Sequence, residues 1–144
     1  MGVNQNSNIM IAPGYICPSC ISHLDVEDSI VLSAKTSNGK RGVVLLSTTL
    51  GDYSVKTNAH FKIEQGERIA LSCPVCSQEL LHNSENNLCK IIRVDEKGEE
   101  HTVLFSNKYG EQCTFHLKGE KATSYGEHAI RFQDPEWFKQ DDEK

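Results

Sequence analysis

Two short segments, Cys17-Pro18-Ser19-Cys20 and Cys73-Pro74-Val75-Cys76, share the form CPxC, and their reading decides how the chain folds. Two residues between paired cysteines let one tight turn aim both sulfurs at a single point, and a tetrahedral ion takes four such thiolates. Cys73 follows Cys17 by 56 positions, so the chain must fold back for the pairs to meet. A disulfide inside one CxxC would close so small a loop that chain entropy gives it only about 2 kcal/mol. A structural zinc site contributes on the order of 10 kcal/mol near neutral pH. The expected arrangement is therefore one zinc ion per chain held by Cys17, Cys20, Cys73 and Cys76. The proline in each turn fixes φ and removes one N–H, shaping a loop whose remaining amides can point at sulfur.

Working outward, the residues around the two motifs resemble each other. The offset of 56 also sets Leu24 on Leu80. With three more residues in the second copy, Gly39, Val44, Leu45, Ser47 and Gly51 meet Gly98, Val103, Leu104, Ser106 and Gly110, and Asp52 meets Glu111. Removing those three residues again sets His60 on His116. This suggests an internal duplication, with half one at about 9–66 and half two at about 67–133.

Each half reads as a knuckle followed by a β meander. In half two, 88–94 is apolar and partly β-branched, Lys97-Gly98 supplies a turn, and 101–105 forms the next run. Cys113, Phe115 and Leu117 then alternate with Thr114, His116 and Lys118, the pattern of a half-buried strand. Half one offers strands over 30–35 and 43–46, turns at Asn38-Gly39 and 50–52, and an alternating run of Ala59, Phe61 and Ile63 with His60 and Lys62. Gln65-Gly66 should turn the chain, and 68–71 would deliver the second knuckle. The only helix signal is Asp134-Pro135-Glu136, an N-cap with Pro at the first helical position. The fold class expected is all-β: one zinc-stapled domain over 1–133, then a short helix and a frayed acidic tail over 134–144.

The composition bounds the function. The chain has 144 residues, 38% hydrophobic and 24% charged, enough for a single globular core. No segment has the apolar length to span a bilayer and the first residues lack a signal core, so a cytoplasmic location is expected. A net charge of −5 and a pI of about 5.6, with dispersed basic residues, argue against nucleic acid as the partner. The densest basic group, Lys35, Lys40 and Arg41, reads as a solvated hairpin, and Asp25, Glu27 and Asp28 read as a solvated loop pointing away from the thiolates.

The two CPxC motifs, eight residues in all, and the β pattern around them resemble the zinc-ribbon and rubredoxin-like class. In that class two knuckles from two hairpins clamp one ion. Rubredoxin knuckles are typically followed by Gly, whereas Ile21 and Ser77 follow here, a departure that favours zinc over iron. CPxC also resembles thioredoxin-like and glutaredoxin-like sites, but neither knuckle precedes an amphipathic helix that would lower a thiol pKa.

The remaining candidates are weaker. Cys89 and Cys113 lack knuckle spacing and are expected in the core. His60 and His116, on polar strand faces, could meet across a pseudo-two-fold axis as a second site. No nucleophile, phosphate-loop or metalloprotease motif is present, so no enzyme class is indicated. Four thiolates leave no open position for water or substrate. The function expected is a structural zinc site holding a binding or adaptor module for a protein partner. The alternatives are rubredoxin-like iron electron transfer, a thiol-redox switch, and a nucleic-acid-associated zinc ribbon.

Overall fold

The structure, a computed structural model, describes residues 12–57, 60–83 and 87–132. Eleven strands occur among them: β1 Gly14–Ile16, β2 Asp25–Val26, β3 Ser29–Lys35, β4 Arg41–Ser47, β5 Val55–Thr57, β6 Ala70–Ser72, β7 Leu81–Asn83, β8 Leu88–Val94, β9 Glu100–Ser106, β10 Thr114–Lys118 and β11 Lys121–Tyr125. A 3-10 turn, Glu127–Phe132, follows. The expected helix at Asp134-Pro135-Glu136 lies outside the described residues, among which the 3-10 turn is the only helical element.

The strands form two antiparallel sheets. In one the order is β11-β10-β9-β8-β1, with β7 also on β8; in the other it is β2-β3-β4-β5, with β6 also on β3. The expectation of an all-β chain with two similar halves holds down to register. Ser29 pairs with Ser47 and Lys35 with Arg41, while Leu88 pairs with Ser106 and Val94 with Glu100. Adding 59 to either of the first two pairs produces the second two. Val44 with Thr57 becomes Val103 with His116 in the same way.

Adding 56 to the residues before each knuckle exposes a reciprocal exchange. Gly14, Tyr15 and Ile16 of β1 pair with Val94, Arg93 and Ile92 of β8, in the second half. Ala70, Leu71 and Ser72 of β6 pair with Lys35, Ala34 and Ser33 of β3, in the first. Each half thus lends its opening strand to the other's sheet. The chain then passes through the knuckle and returns to its own sheet, as β2 on β3 and β7 on β8. Both knuckles therefore sit where the sheets cross.

Alternation along the strands sends one face of each sheet into a shared core. Tyr15, Leu24, Ile30, Leu32, Val44, Leu71, Leu80, Ile91 and Val103 are buried together there with Cys17 and Cys73. The other face of the first sheet carries Leu88, Leu104, Cys113, Phe115 and Leu117, packed with Ala129 of the 3-10 turn. This sheet is covered on both sides, which is why Thr114 is buried although the sequence placed it on a polar face. On the second sheet, Val26, Val31, Val43 and Leu45 share the outer face by register, and Val26 and Val43 remain 62% and 46% exposed.

One expected strand is corrected. Ala59 lies outside the described residues, and 60–63 are not a strand; β5 lies earlier, and Phe61 instead buries its ring against Gly42. Tertiary packing decides this case: with no side chain at Gly42, the Phe61 ring lies directly against the strand. A methyl group at position 42 would land on that ring. Gly42→Ala is expected to destabilise the protein by about 1–3 kcal/mol, as overpacking does, measured by urea unfolding.

Candidate metal centre

Each knuckle is a hairpin that links the two sheets, and its backbone bonds repeat at the offset of 56. Cys17 N donates to Ser22 O, Ile21 N to Cys17 O and Leu24 N to Tyr15 O; Cys73 N donates to Gln78 O, Ser77 N to Cys73 O and Leu80 N to Leu71 O. Ile21 and Ser77 both take φ of 67°, the left-handed region that glycine prefers. The missing glycines therefore leave the knuckle backbone in the conformation that glycine would favour. The departure noted in the sequence is one of residue type, held in place by the surrounding bonds.

The crossing of the sheets brings the four sulfurs into one cluster. Cys17 Sγ lies 3.8 Å from Cys76 Sγ and Cys20 Sγ 3.7 Å from Cys73 Sγ, and all four fall within 4.8 Å of one another. Disulfide sulfurs would be about 2.05 Å apart. Thiolates at about 2.3 Å from a tetrahedral ion are separated by roughly 3.8 Å along each edge. The cluster thus has the dimensions of a four-thiolate metal site and could hold an ion.

Backbone amides also face the sulfurs. Ser19 N and Val75 N each donate to the first sulfur of their knuckle at 3.3 Å, and Cys76 N adds a bond to Cys73 Sγ at 3.5 Å. Hydrogen bonds from Ser22, side chain first and then backbone, bring the Cys20 thiol down to about 6. At Cys76 the Gln78 backbone lowers the pKa, but desolvation and the three neighbouring sulfurs outweigh it and push the thiol up to about 11. Cys20 therefore ionises more readily than Cys76. Cys17 and Cys73 are fully buried, whereas Cys76 faces solvent.

Cys89 and Cys113 lie in the two cores, as expected. Burial pushes the Cys89 thiol up to about 12, which leaves it protonated and inert. Asp25 departs from the expected solvated loop: it is half-buried and accepts Tyr15 N at 3.0 Å, tying β1 to β2 beside the first knuckle. Glu27 and Asp28 are exposed.

The histidine expectation is also revised. Register makes Thr57, not His60, the counterpart of His116, and His60 is exposed in a turn. The neighbour of His116 is His101, buried at 6% exposure, whose Nδ1 lies 2.6 Å from His116 Nε2. His101 Nε2 lies 2.9 Å from Asp95 Oδ2, while Asp95 Oδ1 accepts the amides of Lys97 and Glu99. With His101 protonated at Nε2, His116 donates to His101 and His101 to Asp95. Asp95, Glu99 and His101 form a second group within ligand distance of one another, but Glu99 is ion-paired with Lys118 and Asp95 is engaged by the turn and by His101. Nothing in the spacing of Asp95, His101 and His116 marks this network, because it depends on cross-strand register.

No family model, no curated protein and no solved structure matches this chain.

The network generates a pH dependence. Desolvation, then the positive field of His101, Arg93 and Lys118, holds His116 below its ordinary 6.5. A histidine depressed in the folded state contributes stability that is complete above the unfolded value and is lost as pH falls below it. His116→Gln retains a donor toward His101 and should reduce the drop in melting temperature between about pH 7 and pH 5. Melting curves of both proteins across that window check this.

Proposed function

We propose that the chain is a zinc-stapled binding module in which Cys17, Cys20, Cys73 and Cys76 hold one ion as a structural clamp. The observation that carries this reading is the approach of four sulfurs from two hairpins to tetrahedral spacing. Zinc is favoured over ferrous iron because thiolate sites bind it more tightly along the divalent series. Four protein ligands close the coordination sphere, so the ion supplies folding energy and no open position for substrate. The shared register of the halves supports descent from a duplicated knuckle and meander, folded as one domain through strand exchange.

The role we assign is to present a surface to a protein partner in the cytoplasm. Val26, Val31, Val43 and Leu45 form an apolar stripe on the outer face of the second sheet, whereas the matching face of the first sheet is covered. Partly exposed apolar side chains grouped on a sheet face are the kind of surface that association buries.

Elemental analysis of the purified chain should find one zinc per protomer and no visible colour; iron would give a red protein. Cys73→Ser should lose the metal and unfold the protein or lower its melting temperature sharply, and full zinc with unchanged melting would exclude the shared site.

Val43→Glu should keep zinc content and melting while abolishing a specific interaction retained by the wild type. The check is cross-linking followed by mass spectrometry, with wild type and variant side by side.

A further inference from the structure

The first sheet gathers basic side chains on the face that carries Val103. Arg93 of β8 pairs with His101 of β9, Lys118 of β10 pairs with Lys121 of β11, and the Thr102–Leu117 pair sets His101 beside Lys118. His116, two residues before Lys118 on the same face, pairs with Thr123 of β11. The whole chain has a net charge of −5, so this row of basic groups is a local exception.

Two carboxylates border the row, and both are committed. Glu99 pairs with Lys118 at 3.0 Å, and Asp95 accepts His101 and the amides of Lys97 and Glu99. Arg93 is half-buried, yet no carboxylate pairs with it among the described residues. Its charge acts on Tyr15 and His116 rather than on Asp95. The half-buried His116 directs Nε2 to His101, and its Nδ1 has no partner among the described residues. Thr123 is exposed and brings a hydroxyl to the same face. Partly desolvated positive charge without a counter-charge is costly, and an oxyanion held by charge-assisted N–H bonds relieves it.

We propose that Arg93, His116 and Thr123 form a binding site for a tetrahedral oxyanion of the phosphate class. The Arg93 fork alone would satisfy a carboxylate, whereas donors from three strands suit an anion whose oxygens diverge. Because Nε2–H of His116 is engaged by His101, the proton that the anion draws from solvent goes to Nδ1, which then donates to it. Binding therefore takes up a proton, and affinity rises as pH falls through the range in which His116 titrates. The site is independent of the four sulfurs and of the outer face of the second sheet.

The test uses the purified full chain and sodium sulfate, with sodium chloride holding the ionic strength constant. Wild type should bind one sulfate per chain saturably, about tenfold more tightly at about pH 5 than at about pH 8. The His116 imidazole resonances should shift with occupancy. Arg93→Gln should abolish saturable binding, and His116→Gln should weaken it and remove its pH dependence. If Arg93→Gln does not fold, Thr123→Glu, on an exposed strand, sets a carboxylate beside His116 and should abolish binding while melting stays as in wild type. Displacement of sulfate by phenyl phosphate would identify the ligand as a phosphate monoester, and displacement by inorganic phosphate alone would identify it as the free ion. Displacement by neither, absence of saturable binding by wild type, or binding that survives in folded Arg93→Gln or Thr123→Glu would each overturn the proposal.

Discussion

The structure depends on the approach of four sulfurs at the point where two sheets cross. Neither knuckle is positioned by its own half alone. Cys17 follows β1, which hydrogen-bonds to β8, and Cys73 follows β6, which hydrogen-bonds to β3. Two mutually lent strands thus deliver two thiol pairs to one place, where four sulfurs lie close enough together to hold a metal ion. Fold and cluster are two descriptions of one constraint: the exchange of strands aims the sulfurs.

Within that frame the halves differ at positions that their register makes equivalent. Gly42 yields its place to the Phe61 ring, whereas its counterpart, His101, is buried between Asp95 and His116. One half fills the position with hydrocarbon and the other with a hydrogen-bonded chain of titratable groups. Tyr15 and Leu71 differ in the opposite sense: half one has a phenol that donates to Thr48 O where half two has an aliphatic side chain. Similar backbones at matched register therefore support different side-chain chemistry at equivalent positions.

Much of this was legible from residues. The CPxC pairs announced a cluster because ligand spacing is a local property, and 88–94 read as a strand because its apolar β-branched residues need no distant information. Cys113, Phe115 and Leu117 were placed correctly on one face by alternation alone. The loan of β1 and β6 was not legible, since three-residue strands carry too little pattern to name a partner. His101 escaped notice for a related reason: its contacts with Asp95 and His116 arise from a hairpin turn and a cross-strand register. The run near Phe61 misled because alternation of apolar and polar residues also suits a loop that drops one ring into a core.

The loan of opening strands has a consequence for synthesis. β1 has its neighbour in β8, ending at Val94, so the first segment of the described fold leaves the ribosome long before its pairing edge exists. Pairings this distant in sequence are slow to form and leave edges exposed in the interim. Half one on its own would present β1 without β8 and β3 without β6. Separately produced fragments divided between the halves would each be missing an edge that the other carries, so they should complement one another in trans.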